Sequence, residues 1–170
     1  FLFLGISLYI DVVKWFFLAI HRAEWTEGLY VVPLFAMANI FLGIYYNLSI
    51  WYKLTNKNMM GAAITIAGAV ITIALNVLLI PKFHYLGAAI ATFCCYLFMM
   101  ISSYKLGQKF YPVPYAVKKL TAYIVLVVLL YIIHIGINKL YSGHLWFSLA
   151  TATLLFGWFT WFVSKIEAKE

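Results

Sequence analysis

The sequence predicts an all-α fold, a bundle of about six membrane-spanning helices, and three observations carry that expectation. Hydrophobic residues make up 66% of the chain and charged residues only 10%, whereas soluble domains carry roughly a quarter charged. A soluble domain of 170 residues has too little interior to hide that much apolar surface. The apolar residues fall into six runs, each of the roughly 17–25 residues that cross a bilayer as a helix. Finally, the cations collect in every second connection between runs, the pattern of a polytopic membrane protein. A membrane barrel would need polar and apolar residues to alternate, and these runs are apolar on every side.

The first run spans Phe1–Ile20 and ends at the polar stretch His21, Arg22, Glu24 and Glu27. The second, Leu29–Leu54, has Pro33 in its opening turn, where a missing N–H costs little. Its second half is aromatic, and Tyr45, Trp51 and Tyr52 are expected to anchor it at the membrane–water boundary before Lys53 and Lys57. The third run covers Gly61–Ile80, with Pro81 expected to close it, and the fourth covers Leu86–Leu106. The connection Gln108–Lys119 holds Pro112 and Pro114 and is the longest polar break. Two further runs, Leu120–Asn138 and Leu145–Lys165, lead to a charged tail, Glu167–Glu170. Residues 1–119 thus form four spans and residues 120–170 an additional pair with a short tail.

Loop charge sets an orientation. Lys53, Lys57, Lys105, Lys109, Lys118, Lys119, Lys165 and Lys169 flank the second, fourth and sixth runs, against Arg22, Lys82 and Lys139 on the other side. Cations concentrate on the cytoplasmic side, so the C-terminus is expected in the cytoplasm. The net charge of +7 is explained by this topology, and no nucleic-acid partner is expected. The chain starts at Phe1 without Met, basic leader or cleavage site, which reads as a fragment of a longer membrane protein.

Within the runs, residues that carry chemistry are few. Cys94 and Cys95 are adjacent, face different sides of a helix, and are expected to be packing residues. Gly61, Thr65, Gly68, Thr72 and Asn76 share one helix face, and Gly87, Ala91 and Cys95 share another, a spacing that suits a close helix–helix seam. Asn76 is costly in lipid and should face protein or a cavity. Asp11 and Lys14 are the ionisable pair inside an apolar run, three residues apart on one face. A charge at mid-membrane costs about 3 kcal/mol and so turns inward and pairs. The pair is open to two readings, a cavity site for an anionic substrate or coupling proton, or a structural intrahelical pair. Asn39, Gly43 and Asn47, with Tyr46, form a stripe that suits either sugar hydroxyls or interhelical hydrogen bonds. His134 is expected to be packed. HExxH, a nucleophile elbow and paired carboxylates are missing from the sequence, so neither an enzyme nor a metal or cofactor site is expected.

The stretches LFLGIYYNLSIWYKLTNKNMMGA, LNVLLIPKF, LGAAIATFCCY and GQKFYPVPY resemble the C-terminal half of polysaccharide and O-antigen flippases, members of the multidrug/oligosaccharidyl-lipid/polysaccharide exporter superfamily. The resemblance covers Leu2–Lys119, and the last two runs match only in character. It implies a larger transporter with two bundles around a cavity in a bacterial inner membrane. Alternating access would carry an undecaprenyl-pyrophosphate-linked oligosaccharide across, and the N-terminal bundle would be the remainder of the chain. It also implies cationic cavity residues, with Lys14 or Arg22 in that part. Candidate cavity residues are therefore Asp11, Lys14, Arg22, Asn39, Tyr46, Asn47 and Asn76. The alternatives are a cation-coupled drug antiporter of the same superfamily, with Asp11 as the coupling site, and a membrane-embedded polyprenyl-dependent glycosyltransferase.

Overall fold

The structure, a computed structural model, describes residues 1–21, 23–112, 117–140 and 145–167. Arg22 lies outside them, as do Pro114, His144 and Lys169. Among the described residues the chain is helical throughout, without a strand. The order is α1 (Leu2–Leu8), α2 (Ile10–Ala19), a 3₁₀ segment (Ala23–Val31), α3 (Val32–Leu48), α4 (Ile50–Leu54), α5 (Asn58–Phe83), α6 (Tyr85–Phe110), α7 (Val117–Leu140) and α8 (Leu145–Glu167). Five helical stretches are long and apolar enough to cross a membrane, and the bent pair α1–α2 makes a sixth.

Exposed side chains identify what surrounds these helices. On α5, Ile66, Val70, Ile73 and Val77 are 61–69% exposed, and steps of four, three and four residues place them on one helical stripe. Val125, Leu129 and Ile132 on α7 repeat the pattern, as do Leu154, Trp158 and Trp161 on α8. Apolar stripes of this length, on helices long enough to span a bilayer, suit a lipid surrounding. This is a membrane-embedded protein.

The chain divides into two compact units, Phe1–Tyr30 with Ala116–Glu170, and Val31–Tyr115. In the second, α6 packs against α3 and α5, and Tyr45, Ile64, Cys95 and Met99 form the core. Small residues set the approach of α5 and α6. A Cβ on Gly68 would lie 3.0 Å from Met99 Cγ, and one on Gly87 only 2.6 Å from the Leu79 carbonyl oxygen. The Cys95 thiol donates to the Gly68 carbonyl at 3.3 Å, so the seam read from the spacing of glycines is where the helices meet. Thr65 and Thr72 donate to Gly61 and Gly68 carbonyls of their own helix, at 3.0 and 2.9 Å.

Three local expectations are corrected. Pro81 lies inside α5, which continues to Phe83. Proline removes one N–H and crowds one carbonyl, a disturbance confined here to the end of the helix, since only Lys82 and Phe83 follow Pro81 in α5. Tyr45 and Trp51 are not boundary anchors, being only 4% and 2% exposed. A break at Ser49, whose hydroxyl donates to the Tyr46 carbonyl at 2.6 Å, separates α3 from α4. Trp51 then packs against α6, where its indole N–H donates to Ser103 Oγ at 3.3 Å and Gly107 leaves room for the ring. The first run is likewise not one straight helix, since α1 and α2 meet at Tyr9 with a 44° bend.

The first unit packs α1 and α2 against α7 and α8. Phe3, Leu4, Leu8, Val127, Leu130, Ala152, Phe159 and Val163 are among its buried apolar residues. Phe3 meets the Tyr131 ring edge-on at 5.8 Å.

Candidate functional site

The bend at Tyr9 matters because it places Asp11 in the first turn of a new helix. A helix N-terminus carries partial positive charge and free N–H groups, and so favours a carboxylate there. The carboxylate's two oxygens have different partners. Oδ1 faces the Lys14 ammonium at 3.6 Å along the same helix. Oδ2 accepts the Ser148 hydroxyl at 2.6 Å and the Asn138 side-chain amide at 3.2 Å.

Those partners belong to a five-residue polar cluster between α2, α7 and α8. Asn138 Nδ2 lies 3.2 Å from Asp11 Oδ2, 3.0 Å from Ser148 Oγ and 3.1 Å from His134 Nε2. Two hydrogens must serve three acceptors. Asp11 Oδ2 and Ser148 Oγ are themselves only 2.6 Å apart, so one N–H forks between them and the other is given to His134. An imidazole that accepts at Nε2 carries its proton on Nδ1. His134 Nδ1 lies 3.5 Å from Thr151 Oγ1, and the Thr151 hydroxyl also reaches the Phe147 and Ser148 carbonyls, at 3.1 and 2.9 Å. His134 is 3% exposed and Ser148 9%, whereas the Asp11 and Lys14 side chains keep 30% and 46% of their surface open. The cluster thus has a closed back of buried hydrogen-bonding groups and an open front holding the Asp11–Lys14 pair.

Its position differs from the one sequence position implies. Asp11 is central in its apolar run, yet its partners are in the final turn of α7 and the opening turn of α8. The site therefore lies level with the α7–α8 end of its unit. Nearness to that end lowers the cost of charge, which is steepest at the bilayer centre.

Asn39, Tyr46, Asn47 and Asn76 belong to the Val31–Tyr115 unit, and the predicted site residue Arg22 lies outside the described residues. Asn39 donates to the Phe35 carbonyl at 2.9 Å and Asn47 to the Gly43 carbonyl at 3.2 Å, both bonding back to their own helix while exposed. Tyr46 is 63% exposed. The stripe on α3 therefore makes neither of the interhelical bonds it could have made. Asn76 Oδ1 is buried without a hydrogen-bond partner on α5.

Sequence reasoning missed Asn138, Ser148 and Thr151. One signal was present: His134 and Asn138 are four residues apart in an apolar run, and so share a helix face. No group of three or more His, Cys, Asp or Glu among the described residues is placed to hold a metal ion. No protein-family model, curated protein or solved structure matches the chain.

Proposed function

We propose that this chain is part of a transporter of the bacterial inner membrane, with its C-terminus cytoplasmic, and that its cargo is an undecaprenyl-pyrophosphate-linked oligosaccharide. The resemblance of residues 2–119 to polysaccharide flippases supplies the cargo class. The observation that carries the transport reading is the Asp11–Lys14 pair, two charges left partly open on a bent membrane helix. Bent or interrupted helices are where transporters place polar groups for a solute.

The asymmetry of the pair gives Lys14 its role. Asp11 is fixed from behind by Ser148 and Asn138, and so keeps two hydrogen bonds if Lys14 leaves. Lys14 has a loose 3.6 Å contact and nearly half its surface open. Its ammonium can turn from Asp11 to an incoming pyrophosphate at the cost of one weak ion pair. Asp11 then serves as the resting counter-charge that holds Lys14 until cargo arrives and takes it back on release. The lipid tail stays in the bilayer, no covalent chemistry is required, and the rest of the bundle comes from the remainder of the transporter chain.

The fixed carboxylate favours one second reading, a cation-coupled antiporter in which Asp11 itself meets a cationic drug. The two readings separate in a flippase-deficient strain carrying the complete reading frame. On the flippase reading, wild type restores surface polysaccharide, and Lys14→Ala abolishes it at normal membrane level while Lys14→Arg retains part. Failure of wild type to restore glycan, together with export of cationic dyes that Asp11→Asn removes, refutes that reading in favour of the antiporter.

A further inference from the structure

We propose that the end of the Val31–Tyr115 unit where α4 meets α6 is a binding site for the phosphate headgroup of an anionic phospholipid. This inference is independent of what the chain transports. The unit carries Lys53, Lys57, Lys82, Lys105 and Lys109 and no acidic residue at all, since Asp11, Glu24, Glu27, Glu167 and Glu170 all fall outside it. Four of those five lysines gather at one end. Lys53 lies in the last turn of α4, Lys57 immediately precedes α5, and Lys105 and Lys109 are one turn apart at the end of α6.

An aromatic floor draws them together. The rings of Trp51 and Phe110 stack at 5.8 Å with 14° between their planes. Lys57 Nζ stands 3.5 Å from the Phe110 centroid and Lys109 Nζ stands 5.8 Å from the same point. A ring face attracts an ammonium but does not neutralise it, and each ammonium keeps donors to spend. Lys105 and Lys109 repel each other across one helical turn. Among the described residues no carboxylate pairs with these lysines, so their charge is preplaced for an anion.

Surroundings select a lipid over a dissolved anion. α5 and α6 are both membrane-spanning, so their shared end lies at headgroup depth, where basic groups between helices collect anionic lipids. Leu54, Met59 and Ile101 border the lysines and are 63%, 84% and 42% exposed, an apolar flank that an acyl chain would cover.

The test titrates the complete protein in mild detergent with phosphatidylglycerol or phosphatidylcholine and reads bound lipid by native mass spectrometry. Wild type should prefer phosphatidylglycerol. Lys57→Gln with Lys109→Gln should lower that affinity about 25-fold, at about fivefold per lysine. Phe110→Leu, which leaves charge unchanged, should lower it several-fold. Lys82→Gln removes one such charge roughly 37 Å from Lys57 along α5 and should change nothing. Equal binding of the two lipids, or an equal loss in Lys82→Gln, would overturn the proposal. So would displacement of phosphatidylglycerol by millimolar inorganic phosphate, which would mark a soluble-anion site. Lys57→Arg with Lys109→Arg preserves charge and guards against misfolding, and loss of lipid preference in that monodisperse variant also counts against the site.

Discussion

Replacing Gly87 by Ala should destabilise the protein, while the same replacement at Gly43 should not. A methyl at Gly87 would lie 2.6 Å from the Leu79 oxygen, 2.7 Å from the Leu79 carbon and 2.9 Å from the Ile80 nitrogen. All three are main-chain atoms of α5, so no side chain can rotate away. To reach an ordinary contact the helices must separate by roughly 0.8 Å, and overpacking of this kind costs about 1–3 kcal/mol. Alanine's advantage over glycine in a helix, about 1 kcal/mol, offsets part of that, and less in the first turn, where Gly87 sits. The net loss is about 1–2 kcal/mol. Gly43 has no atom within 4 Å of its would-be Cβ, so Gly43→Ala should be neutral or gain up to about 1 kcal/mol. Unfolding in mixed micelles with increasing SDS, followed by circular dichroism, measures both. If the two variants shift together, or if Gly87→Ala is as stable as wild type, the close approach of α5 and α6 at that glycine is wrong.

Two further outcomes follow from hydrogen-bonded pairs. Ser148→Ala should cost about 1–2 kcal/mol, and Asn138→Leu, which strips the amide from three acceptors, about 2–3 kcal/mol. Because both serve Asp11 Oδ2, the double variant should lose less than their sum, and strict additivity in the same SDS titration would dissolve the cluster as a unit. Trp51→Phe and Ser103→Ala should likewise be non-additive, by about 0.6–1 kcal/mol, since each removes one end of the same bond. A coupling near zero would mean that the indole N–H has no partner on α6.

The sequence spoke plainly wherever the physics is periodic. Gly68 on α5 and Gly87 on α6 lie on the helix faces read from their spacing and mark the α5–α6 seam, while Gly61 makes room for the Tyr52 ring of α4. Six apolar runs state the spans because bilayer thickness imposes their length. What periodicity does not encode was hidden. The bend at Tyr9 has neither glycine nor proline to announce it, and the helices on either side of it, α1 and α2, both pack against α8. Trp51 looked like a boundary residue because its neighbours are aromatic and basic, and only the break at Ser49 turns it inward. Asp11 was visible as a costly charge, but its partners Asn138 and Ser148 stand 127 and 137 residues away, a choice set by tertiary packing alone. Asn39 and Asn47 formed the better stripe on paper, and their own helix satisfied them first.

A single residue, His84, joins α5 to α6, and its backbone takes a positive φ of 49°. That brevity has a consequence for biogenesis. One residue gives neither helix room to settle in the bilayer before the other, so the two spans must enter as a preformed helical hairpin. With the C-terminus cytoplasmic, as proposed above, Lys82 and His84 would ride at its tip and cross the apolar core together with it. The hairpin, rather than the single span, is the unit of insertion here, and a flexible spacer placed after Phe83 would let α5 insert while α6 is still being made.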